Sequence, residues 1–126
     1  MSLLKGTFQI TSWDENVLTE QADGCKLSQA KVTQKYTGAI EGESEVHYFM
    51  SYLASGNAEF VGFETIKRTD KAESILLRHV GEFVNGVASS HFVVIDETKS
   101  NAGELEGSGY FESGEQGCAE YQITLP

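Results

Sequence analysis

A period-two alternation of apolar and polar residues, broken at short intervals by turn-forming residues, constrains this chain more than any other feature. In "LKGTFQIT", Leu4, Gly6, Phe8 and Ile10 alternate with Lys5, Thr7, Gln9 and Thr11. In "AKVTQKYT", Ala30, Val32 and Tyr36 alternate with Lys31, Thr33, Lys35 and Thr37. In "AEYQITL", Ala119, Tyr121, Ile123 and Leu125 alternate with Glu120, Gln122 and Thr124. Alternate residues of an extended chain share a face, so each stretch reads as a half-buried strand. Five further strands are expected at Glu43–Ala54, Ala58–Thr69, Ala72–Val84, Val87–Glu97 and Gly103–Ser113. Between them lie "SGN", "TDK", "VNGV", "ETKSNAG" and "SGEQG", rich in residues that tolerate tight hairpins. Asp14–Ser28 lacks the pattern and is expected to be irregular, with room for a helical turn around Val17–Gln21.

Eight strands joined mostly by short hairpins imply a meander. Left flat, such a sheet has two unprotected edges, and the first and last strands carry little that would blunt them. Closure into an up-and-down barrel removes both edges. Gly6, Gly62, Gly81, Gly107 and Gly109 fall inside strand patterns, where glycine marks coiling or bulges at barrel corners. The expected fold is therefore all-β: an eight-stranded antiparallel up-and-down barrel, one domain spanning residues 1–126, with a two-sheet sandwich as its rival. A barrel of this size is either filled by side chains or holds one small ligand.

The charge balance narrows the partners. Nineteen acidic against nine basic residues give a formal charge of −10, which repels nucleic-acid backbones and anionic membrane surfaces. No apolar run approaches the length of a membrane span, and "MSLLKGTFQI" has no signal-peptide core, so the cytoplasm is the expected compartment. Cys25 and Cys118 form no CxxC pattern; two free thiols are expected, a single disulfide being the alternative.

Two strands are apolar on both faces. "VHYFMSYL" sets Val46, Tyr48, Met50 and Tyr52 against Phe49 and Leu53, and "HFVVI" sets Phe92 and Val94 against Val93 and Ile95. An outer barrel face of this kind calls for a cover, either the Asp14–Ser28 segment or a second copy of the chain, and a homo-oligomer is expected.

One acid stands where the core should be. In "FVGFETI", Glu64 shares a face with Phe60, Gly62 and Ile66. A hairpin over "TDKA" sets Glu64 opposite Leu77 and makes His79 its diagonal neighbour. A three-residue "SGN" loop would pair Tyr48 with Glu64 as well. The candidate ligand-binding residues are therefore Glu64, His79, Tyr48, Phe60, Met50 and Tyr36: a few polar groups among apolar walls. The bland alternative is a hydrogen-bonded core carboxylate. The place of His91 depends on the Asn85-Gly86 turn. Two turn residues set His79 opposite Phe92, and three set it opposite His91. No HxH or HExxH pairing points to a metal, and none is expected. Ser89, Ser90 and Ser108 lie outside any GxSxG elbow, and "AGELEGSGYF" matches no phosphate-binding loop, so no cofactor is expected.

Taken in order, "GTFQITSWDE", "YTGAIEGESEV", "FVGFETI", "LLRHVGEFVNGVAS", "AGELEGSGYF" and "AEYQITL" resemble a bacterial family of uncharacterised proteins, domain of unknown function 3224. The resemblance covers nearly the whole chain and departs at "KRTDKAESILL", where the family tends to a longer, glycine-richer hairpin. It implies an antiparallel barrel similar to that of allene oxide cyclase, without implying that activity, and its Phe-x-Gly-x-Glu pattern falls on Phe60, Gly62 and Glu64. Three functions remain open. The first is a binder of a small apolar or amphipathic molecule, and the second a cofactor-free isomerase or cyclase using Glu64 as acid or base. The third is a structural oligomer without ligand.

Overall fold

The computed structural model describes residues 2–69, 74–95, 105–114 and 116–125. Eight strands are present: β1 (Ser2–Glu20), β2 (Lys26–Gly38), β3 (Gly42–Tyr52), β4 (Ala58–Arg68), β5 (Ser74–Val84), β6 (Val87–Ile95), β7 (Leu105–Ser113) and β8 (Cys118–Leu125). Each pairs antiparallel with the next, and β8 returns to pair with β1, closing the barrel. No helix among the described residues is long and apolar enough to cross a membrane. Parts of the expected "TDK" and "SGEQG" turns, and all of "ETKSNAG", lie outside the described residues.

The alternation becomes an inside and an outside. Along β3 and β4 buried and exposed residues alternate without interruption. Inward residues such as Phe8, Val32, Phe60, Leu77, Phe92, Phe111 and Ile123 form one continuous core. Four inward glycines pair across strands with aromatic residues: Gly6 with Tyr121, Gly62 with Tyr48, Gly81 with Phe60 and Gly109 with Phe92. In each pair the ring lies where the missing Cβ would be. That is how a barrel this narrow accommodates so many rings. Ile40, from the β2–β3 connection, is fully buried, and the Tyr121 hydroxyl accepts the Ile40 N–H at 2.9 Å and donates to the Thr37 carbonyl.

Two expectations are corrected. Asp14–Ser28 is not irregular: β1 runs on to Glu20 and β2 begins at Lys26, so the segment forms the far arm of a long hairpin. Register shifts at Ile10/Ser12 and Val17/Thr19 break its period, which hid the strand from the alternation. Nor does this arm cover the outer face, where Phe49, Phe63 and Val80 remain at least half exposed (50%, 54% and 58%). The "SGN" loop spans residues 53–57, bonded Leu53 N–H to Asn57 carbonyl, and Tyr48 pairs with Gly62 while Glu64 pairs with Val46. Gly62 is the physical reason, since only a residue without Cβ leaves room for the Tyr48 ring there.

Candidate functional site

The hairpin registers bring Glu64 and His79 together. Glu64 lies opposite Leu77, as the turn at "TDKA" predicts, and His79 opposite Phe92, as a two-residue Asn85-Gly86 turn predicts. Asn85 and Gly86 both take positive φ (52° and 84°), the geometry that a two-residue hairpin turn demands. His91 consequently points outward beside Tyr110, away from His79.

Four inward side chains from four strands form a buried hydrogen-bonded chain. The Tyr36 hydroxyl donates to Glu64 Oε2 at 2.6 Å. His79 Nε2 lies 2.7 Å from Glu64 Oε1, and His79 Nδ1 lies 2.8 Å from Ser90 Oγ. Ser90 Oγ is also 3.2 Å from the His91 carbonyl. Three proton placements satisfy these distances. With Ser90 donating to that carbonyl, Nδ1 carries a proton, and the proton between Nε2 and Glu64 sits on either partner, as an ion pair or as a neutral pair. With Ser90 donating to Nδ1, the imidazole is neutral. In each, Glu64 engages both of its oxygens, as a buried carboxyl group must. Ser90 escapes a motif search, but its place on the inward face of β6, diagonal to His79, is what alternation and the turn register dictate.

The order Ser90–His79–Glu64 has the connectivity of a hydrolytic triad. Its geometry argues otherwise: exposures are 2%, 0% and 1%, and none of the three is among the residues lining the interior cavity. The cavity lies beyond them, at the end of the barrel carrying the β5–β6 and β7–β8 turns, with a volume of about 240 Å³. Phe8, Met50, Phe60, Phe83 and Phe111 make most of the lining apolar, and Gln34, Tyr48, Ser113 and Cys118 also line it. Of the six sequence candidates, Tyr48, Phe60 and Met50 line the cavity, whereas Glu64, His79 and Tyr36 lie behind it.

Tyr48 joins the two regions. Its ring packs edge-on against His79 at 5.7 Å and Phe60 at 4.8 Å between centroids. Its hydroxyl is buried and has no hydrogen-bond partner among the described residues. Burial, and secondarily the negative charge of Glu64, hold the Tyr48 phenol well above its ordinary ionisation range, so it keeps a proton to donate. Tyr36 is held high in the same way, by burial and then by the charge and hydrogen bond of Glu64.

At the mouth stands Trp13, which the alternation misses because the Ile10/Ser12 bulge turns it toward the interior side. Its indole N–H donates to Glu15 Oε1 at 3.0 Å, and Glu15 also accepts from the Ser28 and Tyr52 hydroxyls. Burial would raise the Glu15 carboxyl, but these three hydrogen bonds and the nearby Lys26 charge outweigh it and leave it lowered. Tyr52 is pushed up to about 12, first by burial and then by Glu15. Among the described residues no three His, Cys, Asp or Glu side chains gather as a metal site, and Cys25 and Cys118 are free.

The family described as "Protein of unknown function (DUF3224)" matches residues 4–125. Among solved structures, the chain is similar to a crystal structure of a protein of unknown function from the DUF3224 family of Shewanella oneidensis MR-1, with a TM-score of 0.64 and 19% identity over 99% of this chain and 98% of that one. At that identity the likeness carries the fold. No curated protein matches the chain.

Proposed function

The chain belongs to the DUF3224 family, a family of unknown function, and from that premise we propose, on its own geometry, that it is a binding barrel for a small apolar molecule bearing one hydrogen-bond acceptor. One observation carries the proposal: Tyr48 lines an apolar cavity, and its buried hydroxyl has no hydrogen-bond partner among the described residues. A buried polar group without a partner costs about 1–3 kcal/mol, and a ligand acceptor would supply the missing partner. A cavity of ~150 Å³ takes benzene, so 240 Å³ suits roughly ten non-hydrogen atoms. The lining favours an aromatic or short aliphatic body. Glu64 contributes from behind, by keeping the Tyr48 phenol protonated.

An isomerase or cyclase using Glu64 as acid or base is supported less well. Such a role needs contact with substrate. Glu64 is 1% exposed, engaged at both oxygens and absent from the cavity wall.

The test uses acetophenone and α-methylstyrene, near-isosteres in which a methylene replaces the carbonyl oxygen. Trp13 is the single tryptophan and lines the cavity, so its indole N–H resonance reports binding. Acetophenone should bind about five-fold more tightly, the equivalent of one ~1 kcal/mol hydrogen bond. Tyr48→Phe should erase that preference while retaining the hydrocarbon. Equal affinities in the wild-type protein, or no shift of the resonance with either compound, would refute the reading.

A further inference from the structure

The outer face of the barrel carries a continuous apolar strip. Cross-strand pairing places Phe49, Val61, Val80, His91 and Tyr110 in one row over five strands. The adjacent row adds Phe63 and Val93 on either side of Arg78. Strands about 4.8 Å apart make the strip roughly 20 Å wide. Phe49, Val61, Phe63 and Val80 are each at least half exposed, at 50%, 50%, 54% and 58%. Contiguous apolar surface on this scale marks a contact site.

The charges around the strip say what covers it. On one border Glu59 and Glu82 face each other directly across β4 and β5, and like charges so placed repel. Any partner that relieves them brings a cation. The chain presents one itself. Arg78, Val80 and Glu82 are successive outward residues of β5, with Val80 midway between the opposite charges. Among the described residues Arg78 has no carboxylate partner. A two-fold contact requires a patch complementary to itself, in which residue i meets j and j meets i. Antiparallel apposition of two β5 strands about Val80 meets that requirement. Arg78 of each copy then comes against Glu82 of the other, and the row through Phe49, Val61 and Val80 closes on its counterpart.

We propose that this strip is the interface of a homodimer, a second copy of the chain being its occupant, with Val80 on the two-fold axis and reciprocal Arg78–Glu82 ion pairs. Sedimentation velocity over a range of concentrations tests it. The wild-type protein should reach twice the 13.8 kDa of one chain. Val80→Glu should remain at one chain mass and keep the wild-type far-ultraviolet circular dichroism spectrum, since Val80 is exposed in the single chain. Arg78→Glu and Glu82→Arg should each weaken dimerisation at least ten-fold, and the double exchange should recover most of it. A wild-type protein that stays at one chain mass overturns the proposal. So does a doubled mass that survives Val80→Glu, or a double exchange that recovers nothing. A doubled mass lost only when the β1 edge beyond Gln9, where β8 no longer pairs, is blocked by Asp14→Pro would also overturn it, by placing the contact elsewhere.

Discussion

Two tyrosines show how far one hydroxyl group depends on its surroundings. Tyr36 and Tyr48 are both buried, yet Tyr36 donates to Glu64 and Tyr48 has no hydrogen-bond partner among the described residues. The same substitution should therefore act differently at each. Tyr36→Phe removes a hydrogen bond to a carboxylate and should cost about 1.5–3 kcal/mol in urea unfolding. Tyr48→Phe should leave stability unchanged or raise it by up to about 1 kcal/mol. Alkaline unfolding follows from the same pair. Both phenols ionise higher when folded than when unfolded, so their stabilisation is complete below the unfolded value of about 10 and is lost as pH rises beyond it. The urea midpoint should hold to about pH 9 and fall above pH 10, with buried tyrosinate absorbance appearing together with loss of structure. Ready titration of both phenols near pH 10 in the folded protein would contradict their burial. The sequence told much of this: an acid among Phe60, Gly62 and Ile66 had to face inward, and the hairpins named His79 as its neighbour. It did not tell that the acid would be fully satisfied behind the cavity. That depends on Tyr36 reaching across from β2, a contact between strands that do not pair.

At the scale of the strand, glycine placement decides register. A strand-interior glycine usually weakens a sheet, yet Gly62 gives the Tyr48 ring its seat. A Cβ built there would lie 2.7 Å from Tyr48 Cδ1, with the His47 carbonyl as its nearest neighbour. Gly62→Ala should therefore cost about 1–3 kcal/mol and displace the tyrosine, read as a lower urea midpoint and a changed Trp13 indole shift. A neutral substitution would mean that the ring has another position available. Loop length alone suggested the wrong partner for Tyr48, because a three-residue and a five-residue connection leave the same alternation on both strands. The far arm of β1 was illegible for a related reason. Two bulges re-phase its side chains, so Trp13 and Glu15 come to the inner side of a stretch whose sequence has no steady period. Where strands are unbulged, as in β3 and β4, pattern and burial coincide residue by residue.

For the whole molecule, closure is what turns alternating strands into a ligand-sized interior. Eight strands enclose a space that large side chains nearly fill. Here the polar chain of Tyr36, Glu64, His79 and Ser90 occupies one part, and a 240 Å³ apolar cavity remains at the end bearing the β5–β6 and β7–β8 turns. Barrel closure was legible from strand count, hairpin length and unprotected edges. The division of the interior was not, because it depends on how rings from non-adjacent strands share space. The most direct measurement is a crystal structure of the protein soaked with acetophenone. The ligand should lie among Phe8, Phe60 and Phe111 with its carbonyl oxygen about 2.8 Å from Tyr48 Oη and no contact with Glu64. A cavity that excludes the compound at saturation, or a carbonyl turned away from Tyr48, would contradict the binding role.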